Sequence, residues 1–387
     1  MKDGFKIWDT DTHIRPSLET LEPYFDPAFR ARLPEIEKYR RVIENDEEGQ
    51  VPGRHTYSFP GAQATRPNRR TLGQAAGPDP RAPLPERKYM GRRQATLGAI
   101  DFDADTRVRD MDEEGVDVQV MIGNGPNPAL LNDVELQVGF LRAYNRYLND
   151  FCGKHPHRLK AVIPVLPNAV EEAAAQIKQW ADSAWMVGVY PMMTNDTPMD
   201  HPDMDPIWEA VNENGLVVLH HSQYAGPPYY PAYGDLWNNP FLARSAAHPW
   251  GAMRAIGSFI GAGLMERFTS LRFGILECGC GWLPFWSRRL DDQAEYVGWV
   301  PKLEHRIGEH LTGGRFFSSI EMAEGQDMIQ MVIDFMGPDV LMYASDYPHF
   351  ECRFPDSTDY FFGWKSLSDD LRRKLLWDNP VKFYGEP

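Results

Sequence analysis

T-R-V-R-D-M-D-E-E-G-V-D-V-Q-V-M-I-G, Thr106 to Gly123, reads as a helix stopped by Gly115 and followed at once by an apolar strand. Glycine ends a helix readily because it enters the left-handed region that other residues avoid. The valines and isoleucine that follow favour a buried, extended chain. The alternation then continues downstream. Glu135 to Cys152 carries Val138, Leu141, Tyr144 and Leu148 at helical spacing, and L-K-A-V-I-P-V-L-P (Leu159–Pro167) is a strand. Asn168 is placed to cap the helix A-V-E-E-A-A-A-Q-I-K-Q-W. Further strands are predicted at Met186–Tyr190, Leu216–His220, Leu271–Glu277, Arg315–Met322 and Val340–Asp346. Helices are predicted at Asp205–Asn214, Trp250–Phe268, Asp327–Met336 and Asp369–Phe383. Upstream, I-W-D-T-D-T-H-I-R-P (Ile7–Pro16) holds the end of a first strand.

Eight short apolar strands alternating with helices indicate an α/β protein whose parallel sheet is buried on both faces. A (β/α)8 TIM barrel fits that count, with a doubly wound open sheet as the alternative. Residues 17–105 break the rhythm. They read as an excursion after strand one, either a cap over the site or a solvated surface insertion, within a single domain spanning 1–387.

In a barrel the C-terminal strand ends share one face, so distant residues can meet there. Strand one ends with Asp11 and His13, which project to the same side of an extended chain. Strand five ends in His220-His221, strand six in Glu277 and strand eight in Asp346. Taken singly, each has an ordinary role: an Asx-turn, a helix cap, a core histidine. Together they are the oxygen and nitrogen donors that suit a divalent first-row metal.

Composition narrows the function. The chain has 387 residues, 42% of them hydrophobic, and a formal net charge of -15, which speaks against a nucleic-acid partner. No apolar run is long enough for a membrane span, and M-K-D-G-F-K lacks a signal-peptide core. The four cysteines, Cys152, Cys278, Cys280 and Cys352, are too few for a disulfide framework, so a cytoplasmic location is expected. Cys278 and Cys280, one residue apart on a Gly-rich turn, read as small buried residues.

D-x-H, V-V-L-H, F-G-I-L-E-C-G-C-G-W-L-P with R-R-L-D behind it, and Y-A-S-D-Y-P-H together resemble the amidohydrolase superfamily. More narrowly they resemble the amidohydrolase-2 family, with its 2-amino-3-carboxymuconate-6-semialdehyde decarboxylase branch. H-P-W-G-A-M-R-A-I-G-S-F-I from His248 and W-D-N-P-V-K-F-Y-G near the C-terminus match as well. The resemblance implies one divalent metal ion (zinc, manganese or iron) held by Asp11, His13, His220 and Asp346. His220 is preferred to His221 because it directly ends the apolar run, leaving His221 beside the metal or facing substrate. Glu277 stands where the family places an acid–base histidine, and Asp11 where many relatives have histidine. Strand four ends Val189-Tyr190-Pro191, without the lysine that bridges two metals in other branches, so one ion is expected. The family also implies a homodimer.

The reaction implied is nonoxidative, metal-dependent decarboxylation of an aromatic or unsaturated carboxylic acid, a small-molecule substrate. Glu277, Asp346 or bound water would supply the proton, with His220 and His221 beside them. Arg15, Arg254, Arg288 and Arg289 are candidate carboxylate binders, the last two better explained as a surface helix face. Trp282, Tyr224 and Tyr229 are candidate pocket walls, and P-P-Y-Y-P (Pro227–Pro231) a loop over the site or against a neighbouring subunit. His349 is either a neighbour of the metal ligands or a turn residue. The same donors would serve a hydrolase of a lactone, amide or similar bond. A non-catalytic binding protein is a third reading, and it predicts no bound metal.

Overall fold

The computed structural model describes residues 1–59, 88–193, 197–221, 240–298 and 302–387. Eight parallel strands lie side by side in sequence order: β1 (Trp8–Ile14), β2 (Val118–Gly123), β3 (Leu159–Val165), β4 (Met186–Pro191), β5 (Val217–His221), β6 (Arg272–Leu276), β7 (Phe316–Ser319) and β8 (Leu341–Met342). Backbone hydrogen bonds from Thr10 N to Tyr343 O (3.1 Å) and from Asp346 N to Asp11 O (3.1 Å) close β8 onto β1. The chain is therefore a (β/α)8 barrel and not an open sheet.

Two apolar layers follow from strand alternation. Val118, Val120, Val162, Val217, Leu219 and Leu276 fill the interior, while Met121, Ile163, Val218 and Ile275 face the helices. At the base, Trp8 stacks on Tyr384 of the C-terminal helix (Asn379–Tyr384) with ring centroids 5.8 Å apart. A register shift between Asp9 and Thr12 inserts one residue into β1 relative to β2. Such a bulge exchanges the faces of a strand. Trp8 faces inward before it, and beyond it Ile14 joins the outer layer, which leaves His13 inward.

The helix Ala104–Glu114 ends on Gly115 at φ +80°, as its sequence requires. Other boundaries moved. Asn168 does not cap: its amide donates to Gln137 Oε1 (3.0 Å), and the next helix starts at Val170 without a side-chain cap. The last helix breaks into Asp369–Arg373, a π-turn over Lys374–Asp378, and Asn379–Tyr384. Of the 17–105 excursion, the helix Pro27–Ile36 and the hairpin Arg40–Val42/His55–Tyr57 lie against the long helix Val134–Cys152. The Phe29, Tyr57, Phe59 and Phe140 rings pack at that junction. Residues 60–87, Tyr224, Tyr229 and Pro227–Pro231 lie outside the described residues.

Candidate active site

The C-terminal strand ends bring the predicted donors together. Asp11, His13 and His221 form one buried group with ligand atoms within 4.8 Å of one another, and His13, Glu277, Asp346 and His349 form a second that shares His13. His13 Nε2 lies 2.8 Å from Asp346 Oδ1 and 3.7 Å from Asp11 Oδ1. His221 Nε2 lies 3.4 Å from both Asp11 Oδ1 and Glu277 Oε2. The fifth-strand histidine whose ring nitrogen reaches this group is His221, where the apolar run pointed to His220. The reason is alternation: His221 continues the inward row of Val217 and Leu219, while His220 continues the outward row of Val218. His220 remains buried behind the site.

Two donors sit on unusual backbone. Glu277 has φ +52° and Asp346 φ +62°. A non-glycine residue held in the left-handed region costs about 1–2 kcal/mol and persists where its surroundings enforce it. Here that geometry turns a carboxylate into the barrel mouth directly after an apolar strand. Gly279, at φ +68°, continues the turn after Glu277. A Cβ at Gly281 would come 2.5 Å from Met328 Sδ, so the Met328 side chain would have to shift to admit one.

Burial sets the charge state. It drives the His13 imidazole well below its usual range, helped by His349 and His221. It also takes His220 down to about 3, reinforced by His221. Burial opposes a charge on His221 too, but the charge of Asp11, with Nε2 3.4 Å from Asp11 Oδ1, and then that of Glu277 outweigh it and raise His221 to about 9. Burial, followed by the charge of Glu277, pushes Asp346 well above the usual carboxylate range. Both oxygens of Asp11 are buried without a hydrogen-bond donor. A buried carboxylate in that state calls for a cation. A single divalent ion fits among Asp11, His13, His221 and Asp346, with Glu277 at the edge of the set.

Residues around this core were only partly legible. His349 Nδ1 is 2.9 Å from Asp346 Oδ1, its ring stacks on His13 at 4.1 Å, and Asn124 meets its Nε2. His349 is therefore a neighbour of the donors. His248 Nδ1 approaches Glu277 Oε1 at 3.9 Å, and the Tyr190 ring meets His221 edge-on at 6.1 Å. Glu321, just past β7, accepts from Ser319 Oγ (3.3 Å), and Ser319 Oγ in turn accepts from Glu277 N (3.1 Å). Burial and then Glu277 raise the Glu321 carboxyl well above its usual range. The strand-end rule that found Glu277 also points to Asn124 and Glu321.

The predicted substrate cations fare differently. Arg15 Nη2 pairs with Glu48 (3.1 Å) and its Nε donates to Asn124 O (2.7 Å), at the rim of the site. Arg254 is half-buried on the helix Pro240–Phe259, six residues beyond His248. Arg288 is exposed and covers the Phe335 ring at 5.2 Å, and Arg289 is exposed, the surface-face reading. Trp282 packs on the outer core and donates from Nε1 to Cys278 O (2.9 Å), so it braces its own turn. All four cysteines are buried thiols.

A second, fully buried layer supports the donors. Arg107 donates from Nη1 to His13 O (2.8 Å) and from Nε to Gln119 Oε1 (2.6 Å), with its guanidinium 4.4 Å from the Tyr347 ring centroid. Tyr347 OH donates to Asp110 Oδ2 (2.5 Å), which also accepts from Thr96 N (2.9 Å). The end of the excursion is thereby tied to the residue after Asp346.

Comparison with known proteins agrees with this architecture. The model of one family, described as Amidohydrolase, matches residues 9–385. Gamma-resorcylate decarboxylase of Polaromonas sp. (strain JS666) is 23% identical over 299 residues, covering 72% of this chain and 86% of its own. The crystal structure of 5-carboxyvanillate decarboxylase from Sphingomonas paucimobilis superposes with a TM-score of 0.69 at 19% identity, over 99% of this chain and 100% of that one. The 5-carboxyvanillate decarboxylase of Novosphingobium aromaticivorans, complexed with manganese and 4-hydroxy-3-methoxy-5-nitrobenzoic acid, gives 0.67 at 19% identity, over 99% and 97%.

Proposed function

The chain belongs to the amidohydrolase family, and from that premise we propose that it is a metal-dependent, nonoxidative decarboxylase of an aromatic carboxylic acid. One observation carries the reading. Asp11, His13, His221 and Asp346 converge in a buried site whose Asp11 oxygens have no donor, in a barrel shared end to end with aromatic-acid decarboxylases. We assign these four residues as the ligands.

A bound manganese, zinc or iron ion would act as a Lewis acid on a substrate oxygen next to the leaving carboxylate. The chain's own residues do the rest. Glu277, flanked by His221 and His248, delivers a proton to the ring carbon that bears the carboxylate. The bond from that carbon to the carboxyl carbon then breaks, its electron pair returns to the ring, and CO2 leaves. Arg15 at the rim orients the acid. The buried thiols support a reducing, cytoplasmic setting. No helix among the described residues is long and apolar enough to cross a membrane. A homodimer is the expected assembly, and exposed Phe285, Met331 and Phe335 offer it apolar surface.

The test is metal analysis of the purified protein, followed by a screen of hydroxybenzoates for CO2 release in H2(18)O. About one equivalent of metal and CO2 release with deuterium uptake at the ring carbon in D2O support the proposal. Oxygen-18 appearing in the product of a lactone or amide, with no CO2 from any acid, overturns it in favour of hydrolysis.

A further inference from the structure

We propose that Asp9 and Ser345 form a positioning clamp that holds Asp346 in its left-handed turn, so that metal affinity depends on two residues that touch no metal; this rests on the ligand assignment above. Asp9 is fully buried on the far side of β1 from the site. Its carboxylate accepts from Ser345 N (2.9 Å) and Ser345 Oγ (2.6 Å). The Ser345 hydroxyl, its proton directed to Asp9, accepts from Tyr347 N (3.1 Å). One carboxylate–hydroxyl pair thus fixes the backbone on both sides of Asp346. Asp346 N itself donates to Asp11 O (3.1 Å), and Tyr347 O accepts from His13 N (2.6 Å).

This arrangement exceeds what barrel closure requires. Thr10 Oγ1 already donates to Tyr343 O (2.8 Å), alongside the direct backbone bonds of the seam. A buried carboxylate is an expensive way to join two strands. It is a fitting way to hold strained backbone, because an aspartate at φ +62° relaxes toward ordinary geometry unless its neighbours prevent it. Relaxation would swing the Asp346 carboxylate away from His13, now 2.8 Å distant. Groups that orient metal ligands from behind commonly set affinity.

The experiment titrates metal-depleted wild type, Asp9→Asn, Ser345→Ala, Ser345→Thr and Asn379→Ala with manganese. Free ion is read by electron paramagnetic resonance and apo melting temperature is measured alongside. Asn379 Nδ2 donates to Leu341 O (2.8 Å), so its variant weakens the start of β8 without touching Asp346. The expected result is a loss of manganese affinity of about tenfold or more in Asp9→Asn and Ser345→Ala. Recovery in Ser345→Thr, which keeps the hydroxyl, and no loss in Asn379→Ala complete the pattern. Asp9→Asn keeps the side chain's shape and carries the comparison if Ser345→Ala does not fold. Wild-type affinity in both clamp variants, or an equal loss in Asn379→Ala, overturns the clamp. A wild type that takes up no manganese, zinc or iron overturns the ligand assignment and the clamp's purpose with it.

Discussion

Replacing the two adjacent histidines of β5 one at a time distinguishes the structural ligand set from the one suggested by the apolar run. His221 Nε2 sits 3.4 Å from Asp11 Oδ1, and its ring stands edge-on to His13 with centroids 5.0 Å apart. His220 is equally buried but belongs to the outward row. A four-ligand zinc site is worth about 10–16 kcal/mol, so one ligand carries about 3 kcal/mol, or on the order of a hundredfold in affinity. His221→Ala should therefore weaken metal binding by about two orders of magnitude, and His220→Ala by less than about threefold. Both remove a buried ring and both should lower the melting temperature, so stability does not discriminate between them. The assay is calorimetric titration of metal-depleted protein with manganese and with zinc. A large loss in His220→Ala with near-normal binding in His221→Ala would refute the alternation argument and the ligand set built on it.

Glu277→Gln should retain metal while turnover falls by about 10²–10⁴-fold, measured as CO2 release at saturating substrate; unchanged turnover would remove Glu277 as proton donor. Chelation followed by manganese at about 100 times Kd should restore about 2.7 kcal/mol of stability, read by denaturant titration with and without the ion. Arg107→Met leaves His13 O and Gln119 without their buried donor and should cost about 3 kcal/mol, seen as a fall in melting temperature with weaker metal binding. Glu114 is fully buried, and burial raises its carboxyl from 4.5 to about 7 despite hydrogen bonds from Ser357. Its folded-state value lies above its unfolded value, so its contribution is fully present below about pH 4.5 and lost as pH rises toward about 7. That loss approaches about 3 kcal/mol, and Glu114→Gln should abolish it, making the variant the more stable protein at pH 8 in thermal melts across pH 4–8.

Local signals carried much of this protein. Helix stops such as Gly115, and apolar runs that end in a single polar residue, depend only on neighbours in the chain. They determined the eight-stranded alternation and brought Asp11, His13, Glu277 and Asp346 forward as candidates. The barrel ends every strand at one mouth, so a polar residue after an apolar run is visible in the sequence itself.

Other features depended on contacts between distant segments. The choice of His221 over His220 needed the facing of β5, and the inward turn of His13 needed a one-residue bulge set by pairing with β2. Asp9 and Arg107 carry no local mark of their roles, because their partners Ser345 and Tyr347 lie far along the chain. The left-handed turns at Glu277 and Asp346 are invisible for the same reason. Nothing in either side chain asks for positive φ, and only the packed seam between β8 and β1, or between β6 and β7, makes that backbone the one of lowest free energy.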